Sequence, residues 1–326
     1  MPSTVLILGA RGRFGLAVAR AFAAAGWRVL GQVRAGASVA PEEGISWLAL
    51  DLQDTAAIAQ AAVGAAVVVH ALNPVYTSRA WRTLALPMLE VSISLARTLG
   101  STVMLPGNVY NFGAAMPALL REDTAQAAHT TKGRVRVALE QRLAQSGVRS
   151  VVIRAGDFFG SGKGTSFDLM LVKNLSKGVI TTGANPDVAT PWAYLPDLAK
   201  TFVRVAEQRD VLSPFAVLHF AGHQIAARQW RELLTPIARR QGWIAAQDTL
   251  KLRSIPWGLL RLVGLVVPMV ASLVEMRYLG ATPHALANDR LRALIGEEPR
   301  TALDQAIAAA LQDLGMVADP LTSAAA

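Results

Sequence analysis

The sequence contains no cysteine, which excludes disulfides, zinc–thiolate sites and thiol nucleophiles. Charge is sparse: 17% of the residues are charged and 52% are hydrophobic, a balance that excludes an intrinsically disordered chain. Acids are the scarcer sign, 23 Asp and Glu against 32 Lys and Arg, leaving a net charge of +9. The arginines are nevertheless spread along the whole chain. They form no dense basic block interleaved with aromatics, so no nucleic-acid partner is expected. A polyanionic small molecule accounts for part of the excess. A long unbroken hydrophobic run is also missing. The most apolar stretch, residues 255–274, is interrupted by Pro256, Arg261, Gly264 and Pro268, so no transmembrane span is expected. It reads as a buried or substrate-covering helical segment, with weak contact to a membrane surface or an apolar substrate as the alternative. No basic stretch and long apolar region precede the first strand, so no secretory signal is expected and the reading is of a cytoplasmic protein.

What is present is a regular alternation. Residues 4–8 are a short apolar run ending in glycine, as a parallel strand buried on both faces requires. Further strands are predicted at 28–33, 45–50, 66–70, 101–105 and 148–154, and helices at 13–25, 54–62, 79–99 and 132–146. Strands alternating with helices through short loops specify an α/β protein with a doubly wound parallel Rossmann sheet. Beyond Arg154 the alternation loosens into a glycine-rich loop at 156–164, a helix at 195–208, a strand at 215–221 and a mostly helical remainder. The chain of 326 residues is therefore read as a dinucleotide-binding domain over 1–158, completed by 192–221. A smaller, mostly helical substrate-binding part takes 159–191 and 222–318, and 319–326 form a frayed tail.

The loop between the first strand and first helix reads Gly9-Ala10-Arg11-Gly12-Arg13-Phe14-Gly15. Gly9 permits a tight turn, Gly12 lets the backbone approach a pyrophosphate, and Gly15 allows close helix packing. The helix then offers free N–H groups and the positive end of its dipole to phosphates. At the end of the second strand, where an NAD site usually carries an acid for the ribose hydroxyls, the run is Leu30-Gly31-Gln32-Val33-Arg34. Arg34 is placed to pair with the 2′-phosphate of NADP(H), aided by Arg11 or Arg13. NADP(H) is the expected cofactor, with NAD(H) the alternative.

On these residues the chain resembles the extended and atypical short-chain dehydrogenases/reductases, the NAD-dependent epimerase/dehydratase group, over nearly its whole length. Asp51-Leu52-Gln53-Asp54 is similar to the family's DLxD after the third strand, which implies that Asp51 and Leu52 contact adenine. Ala71-Leu72-Asn73 sits where the family passes its backbone along the cofactor. Val109-Tyr110, Arg154-Ala155-Gly156-Asp157-Phe158-Phe159-Gly160, the segment Trp192 to Ala199, and Leu294-Ile295-Gly296-Glu297-Glu298-Pro299 resemble later family motifs; the second of these brings Arg154 to the cofactor by resemblance. The family's Ser-Tyr-Lys catalytic set does not carry over. Registered by Glu140, Lys132 falls at the tyrosine position and Arg136, a ribose-binding candidate, at the lysine position; Pro106 falls where the serine belongs. Proline has no hydroxyl, and arginine does not exchange protons near neutrality. Lys132, Tyr110 and Asn108 remain as catalytic candidates.

Two functional readings stay open. One is an oxidoreductase or epimerase acting on a small carbonyl or hydroxyl substrate without the usual triad; the other is a non-catalytic NADP(H)-binding redox sensor. The apolar region around Trp257 hints at a lipophilic substrate. Monomer and homodimer are both compatible with the sequence. His219 and His223 are read as strand-end residues rather than a metal pair, and Gly160–Gly164 as a loop at the cleft mouth rather than a nucleotide-triphosphate loop.

Overall fold

The computed structural model describes residues 2–183 and 185–318; the predicted tail at 319–326 lies outside them. Seven strands form one parallel sheet in the order β3-β2-β1-β4-β5-β7-β11. They are β1 (Thr4–Leu8), β2 (Arg28–Val33), β3 (Ile45–Ala49), β4 (Ala65–His70), β5 (Thr102–Gly107), β7 (Ser150–Arg154) and β11 (Phe215–His219). The apolar character of the inner strands follows from burial on both faces. Val5 and Ile7 of β1 enter one core with Val67, Val69, Val151 and Ile153. Leu6 and Leu8 enter the other with Val68, Val103 and Val152, as a side-chain period of two demands. Helices α1 (Arg13–Ala24) and α5 (Leu195–Glu207) cover the first face, and α2 (Thr55–Ala61), α3 (Ser78–Leu99) and α4 (Thr131–Ala144) the second. The strand order reverses between β1 and β4, which opens a crevice at the carboxyl ends of these strands.

The rest of the chain closes over that crevice. Strands β8 (Asp157–Phe159), β10 (Ala189–Tyr194) and β12 (His223–Ala226) form a second sheet. It packs with α6 (Ala227–Arg240) and α10 (Leu303–Asp313) around Phe159, Phe167, Trp192 and Trp230. Here the structure departs from the sequence reading. The expected loop at 156–164 begins with β8, because Asp157–Phe159 pair in parallel with β10. The expected mostly helical remainder also contains two short strands, β13 (Lys251–Ser254) against β9 (Val179–Thr182), and β14 (Ala285–Leu286) against β6 (Leu119–Leu120). Residues 255–274 fold into two short helices, α7 (Trp257–Gly264) and α8 (Pro268–Glu275), and α9 (Asp289–Ile295) lies beside β11.

One ion pair sits inside the fold. Arg154, at the end of β7, donates from Nε and Nη2 to the Glu140 carboxylate of α4 at 3.0 and 2.6 Å. The side chains are only 2% and 5% exposed. Removing one partner of such a pair strands a charge in the interior. Glu140→Ala is therefore expected to cost about 3–5 kcal/mol in denaturant unfolding. The apolar pair Glu140→Leu with Arg154→Met is expected to lose far less.

Candidate active site

The glycine turn is shaped by contact distance. Gly9 lies at φ +77, and a Cβ on Gly15 would stand 2.5 Å from the Gly9 carbonyl oxygen; on Gly12 it would stand 3.2 Å from the same atom. Any side chain at Gly15 would push α1 away from the end of β1. Gly12 is the N-cap of α1, with no side-chain cap and no acid in the first turn, so the first amides face outward unpaired. Beneath the turn, the buried Gln32 carboxamide accepts from the Gly9 amide at 3.2 Å and donates to the carbonyls of Val33 and Leu50 at 3.0 and 2.8 Å. It joins the ends of β1, β2 and the chain leaving β3 without bringing a negative charge.

A cleft of about 800 Å³ runs from this turn between the sheet and the smaller part. Gly12, Arg13, Phe14, Ala71, Leu72, Asn73, Asn108, Tyr110 and Arg136 all line it, so these sequence candidates are brought together. Gly9 and Gly15 form the floor of the turn. Arg11, Arg34 and Asp51 are exposed at the strand ends beyond it, with Leu52 half-buried beside them. Arg13 reaches over the turn and donates from Nη2 to the Gly164 carbonyl at 2.7 Å, while its Nε and Nη1 are buried without a partner. Arg136 donates to the Pro106 carbonyl at 3.0 Å, lies 5.0 Å over the Trp81 ring and has an unpartnered buried Nε. Burial weakens the hold of both guanidiniums on their protons; a bound anion relieves that cost.

Two sequence candidates are placed elsewhere. Arg154 does not line the cleft. Its Nε and Nη2 are held by Glu140, and its Nη1 donates to the Glu122 carbonyl and to His219 Nε2, each at 3.3 Å. An arginine inside an otherwise apolar strand is tolerated only with all its donors engaged. Lys132 is fully buried behind the rings of Tyr76 and Trp81, which themselves line the cleft. Its ammonium sits 4.2 Å from the Tyr76 ring centroid with no hydrogen-bond partner. Burial lowers its pKa to about 8, opposed by the nearby Glu275. That carboxylate accepts from the Thr131 amide and from Ser78 Oγ.

The residue the sequence reading passed over is Asp157. It was quoted only within a motif, yet it is the only carboxylate lining the cleft among the described residues. Burial raises its pKa to about 6, against a hydrogen bond from Ser166. The Tyr110 phenol is pushed well above its ordinary value and the Tyr76 phenol to about 12, first by burial and further by the negative charge of Asp157. The signal was there: one acid between Ala155-Gly156 and Phe158-Phe159 at a strand end. His70, also lining the cleft, is held near 3 by burial and by Arg136, so it stays neutral and bonds Ser92 Oγ at 2.7 Å.

Against known proteins, residues 1–82 match the model of the NmrA-like family. No curated protein matches the chain. Among solved structures, the Bordetella bronchiseptica enzyme WbmH in complex with NAD+ superposes with a TM-score of 0.70 at 18% identity, over 96% of this chain and 98% of that one. UDP-glucose 4-epimerase from Thermotoga maritima gives 0.70 at 12% identity, covering 95% and 98%. A partial-consensus L-threonine 3-dehydrogenase gives 0.72 at 20% identity, again over 95% and 98%. Over about 95% of its length the chain thus shares the fold of these epimerase and dehydrogenase structures.

Proposed function

We propose that the chain binds a nicotinamide dinucleotide, NADP(H) in preference to NAD(H), and uses it in oxidoreduction or epimerisation of a small carbonyl or hydroxyl substrate. One observation carries this reading. Two unpartnered guanidinium nitrogens of Arg13 stand over an uncapped, glycine-lined helix terminus, at the end of a cleft that also contains an acid titrating near 6. The site fits the group: a diphosphate satisfies the amides of α1 and Arg13 together. Ala71–Asn73 and Arg136 line its onward path. When bound, the dinucleotide supplies hydride transfer.

The chain's own residues supply the rest. Asp157 exchanges the substrate proton, because its pKa lies near the working range. Tyr110 holds its proton too tightly to act as an acid and serves as a hydrogen-bond donor. Asn108 spends its Oδ1 on the Tyr110 amide at 3.0 Å and keeps its amide N–H groups for the substrate oxygen. The outer cleft, lined by Leu169, Trp192, Trp230, Trp257, Met269 and Leu273, suits a substrate with an apolar body. At the adenosine end, the neutral Gln32 and the exposed Arg34 favour the 2′-phosphate.

A second reading, an NADP(H)-binding sensor without turnover, draws on Lys132 lying behind the Tyr76 ring and on Pro106 at the end of β5, which leaves that strand end without a hydroxyl. The two are separated by following NADPH absorbance with aldehydes and ketones of increasing chain length. Progressive oxidation supports the enzyme; tight calorimetric binding with no turnover supports the sensor. Arg34→Ala is expected to weaken NADPH by about 10- to 100-fold and leave NADH unchanged; equal weakening of both places Arg34 off the 2′-phosphate. Asp157→Asn is expected to cut turnover by about 10²- to 10⁴-fold with cofactor affinity retained. The same variant tests the pKa. An aspartate whose folded pKa is raised destabilises the protein increasingly as pH climbs from the unfolded value to about 6, and fully above it. Asp157→Asn is therefore expected to gain about 1–3 kcal/mol at pH 7.5, with the gain vanishing near pH 3.5.

A further inference from the structure

The helical hairpin α7–α8 presents an apolar surface that the fold leaves uncovered. Leu259 is 60% exposed, Leu262 66%, Leu265 82%, Val266 79% and Met269 56%. The two helices meet closely, since a Cβ on Gly264 would stand 3.1 Å from Ala271 Cα, and the connecting turn projects these residues together. The base of the hairpin is tied down: Ser272 accepts from the Ser78 amide at 3.0 Å, and Glu275 accepts from Ser78 Oγ at 2.8 Å. The tip is therefore held out from the body on a fixed stem.

Charge on the strand leading into the hairpin, and on the hairpin above its base, has one sign. Residues 249–274 contain no acid. Lys251, Arg253, Arg261 and Arg277 are exposed and make no ion pair among the described residues. An exposed apolar cluster on a hairpin whose charge above the base, Arg261, and whose flanking cations in the chain are unpaired matches the interfacial zone of an anionic bilayer, where apolar side chains enter the acyl boundary and cations meet headgroup phosphates. It does not match a second copy of the chain: a two-fold contact opposes the same patch to itself and sets cations against cations. No helix among the described residues is long and apolar enough to cross a membrane, so the contact is a surface one. The hairpin also rims the cleft, through Trp257, Met269, Val270 and Leu273, which brings its mouth to the contact surface.

We infer that the α7–α8 tip docks the protein on anionic lipid surfaces. The inference stands apart from the cofactor reading and fails independently of it. The test is flotation of the purified protein with phosphatidylcholine vesicles, with and without about 30% phosphatidylglycerol. The expected result is recovery with anionic vesicles at least about tenfold above neutral ones, falling at high salt. Leu265→Glu with Val266→Glu, both at exposed positions, is expected to reduce that recovery by about tenfold with an unchanged melting curve and unchanged dinucleotide affinity. As a second readout, a Leu265→Trp reporter is expected to shift its emission to the blue on anionic vesicles alone. No recovery with anionic vesicles overturns the inference, as does equal recovery of the double variant. So does an apolar tip that is consumed by self-association, shown by a sedimenting dimer that only the double variant dissolves.

Discussion

The site depends on one steric constraint: α1 starts so close to the end of β1 that only hydrogen fits on the facing carbon. With Gly15 stacked on the Gly9 carbonyl, the helix axis points its unpaired amides into the crevice where the strand order reverses. A larger residue there displaces the helix, and with it Arg13 and Phe14. Phe14 is seated edge-on against Phe202 with ring centroids 5.0 Å apart, so the same displacement is transmitted to α5 and the packing of one whole face of the sheet. The uncapped helix terminus and the hydrophobic core are thus set by the same contact.

Around that contact the charges divide by depth. Along the cleft, Arg13 at the turn and Arg136 farther in keep nitrogens unspent in a low-dielectric wall, where an anionic ligand gains most from them. Deeper, Arg154 and Glu140 neutralise one another and hold α4 to β7. Asp157 sits between these regimes. It is buried enough to keep its proton to near 6 but open to the cleft, and this separates it from the glutamate that α4 uses for structure.

How much of this was readable in the sequence follows from what each residue faces. The inner strands of the large sheet are buried on both sides, so each reads as a mostly apolar run, and the alternation with helices set their order in the chain. The glycine turn was legible because its residue types answer to local geometry. The short pairs β6–β14 and β9–β13 were not, since runs of two to four residues are too short to establish a period. Lys132 and Arg154 show why position in a motif does not place a side chain. Lys132 turns toward Tyr76 and Trp81, and Arg154 turns toward Glu140, choices made by residues distant in the chain. Asp157 lies within the Arg154–Gly160 segment, but its importance comes from burial beside two phenols, which no linear pattern displays.

The chain's lack of cysteine has a further consequence at the cleft mouth. With no thiol to react first, the softest atoms lining the cleft are the thioethers of Met170, Met269 and Met276. Met269 is the most open of the three. Peroxide converts such a side chain to a polar sulfoxide, which would wet a rim that is otherwise apolar and make entry of a hydrophobic body less favourable. Oxidative sensitivity in this protein would then concentrate at the gateway to the site and spare the chemistry inside it.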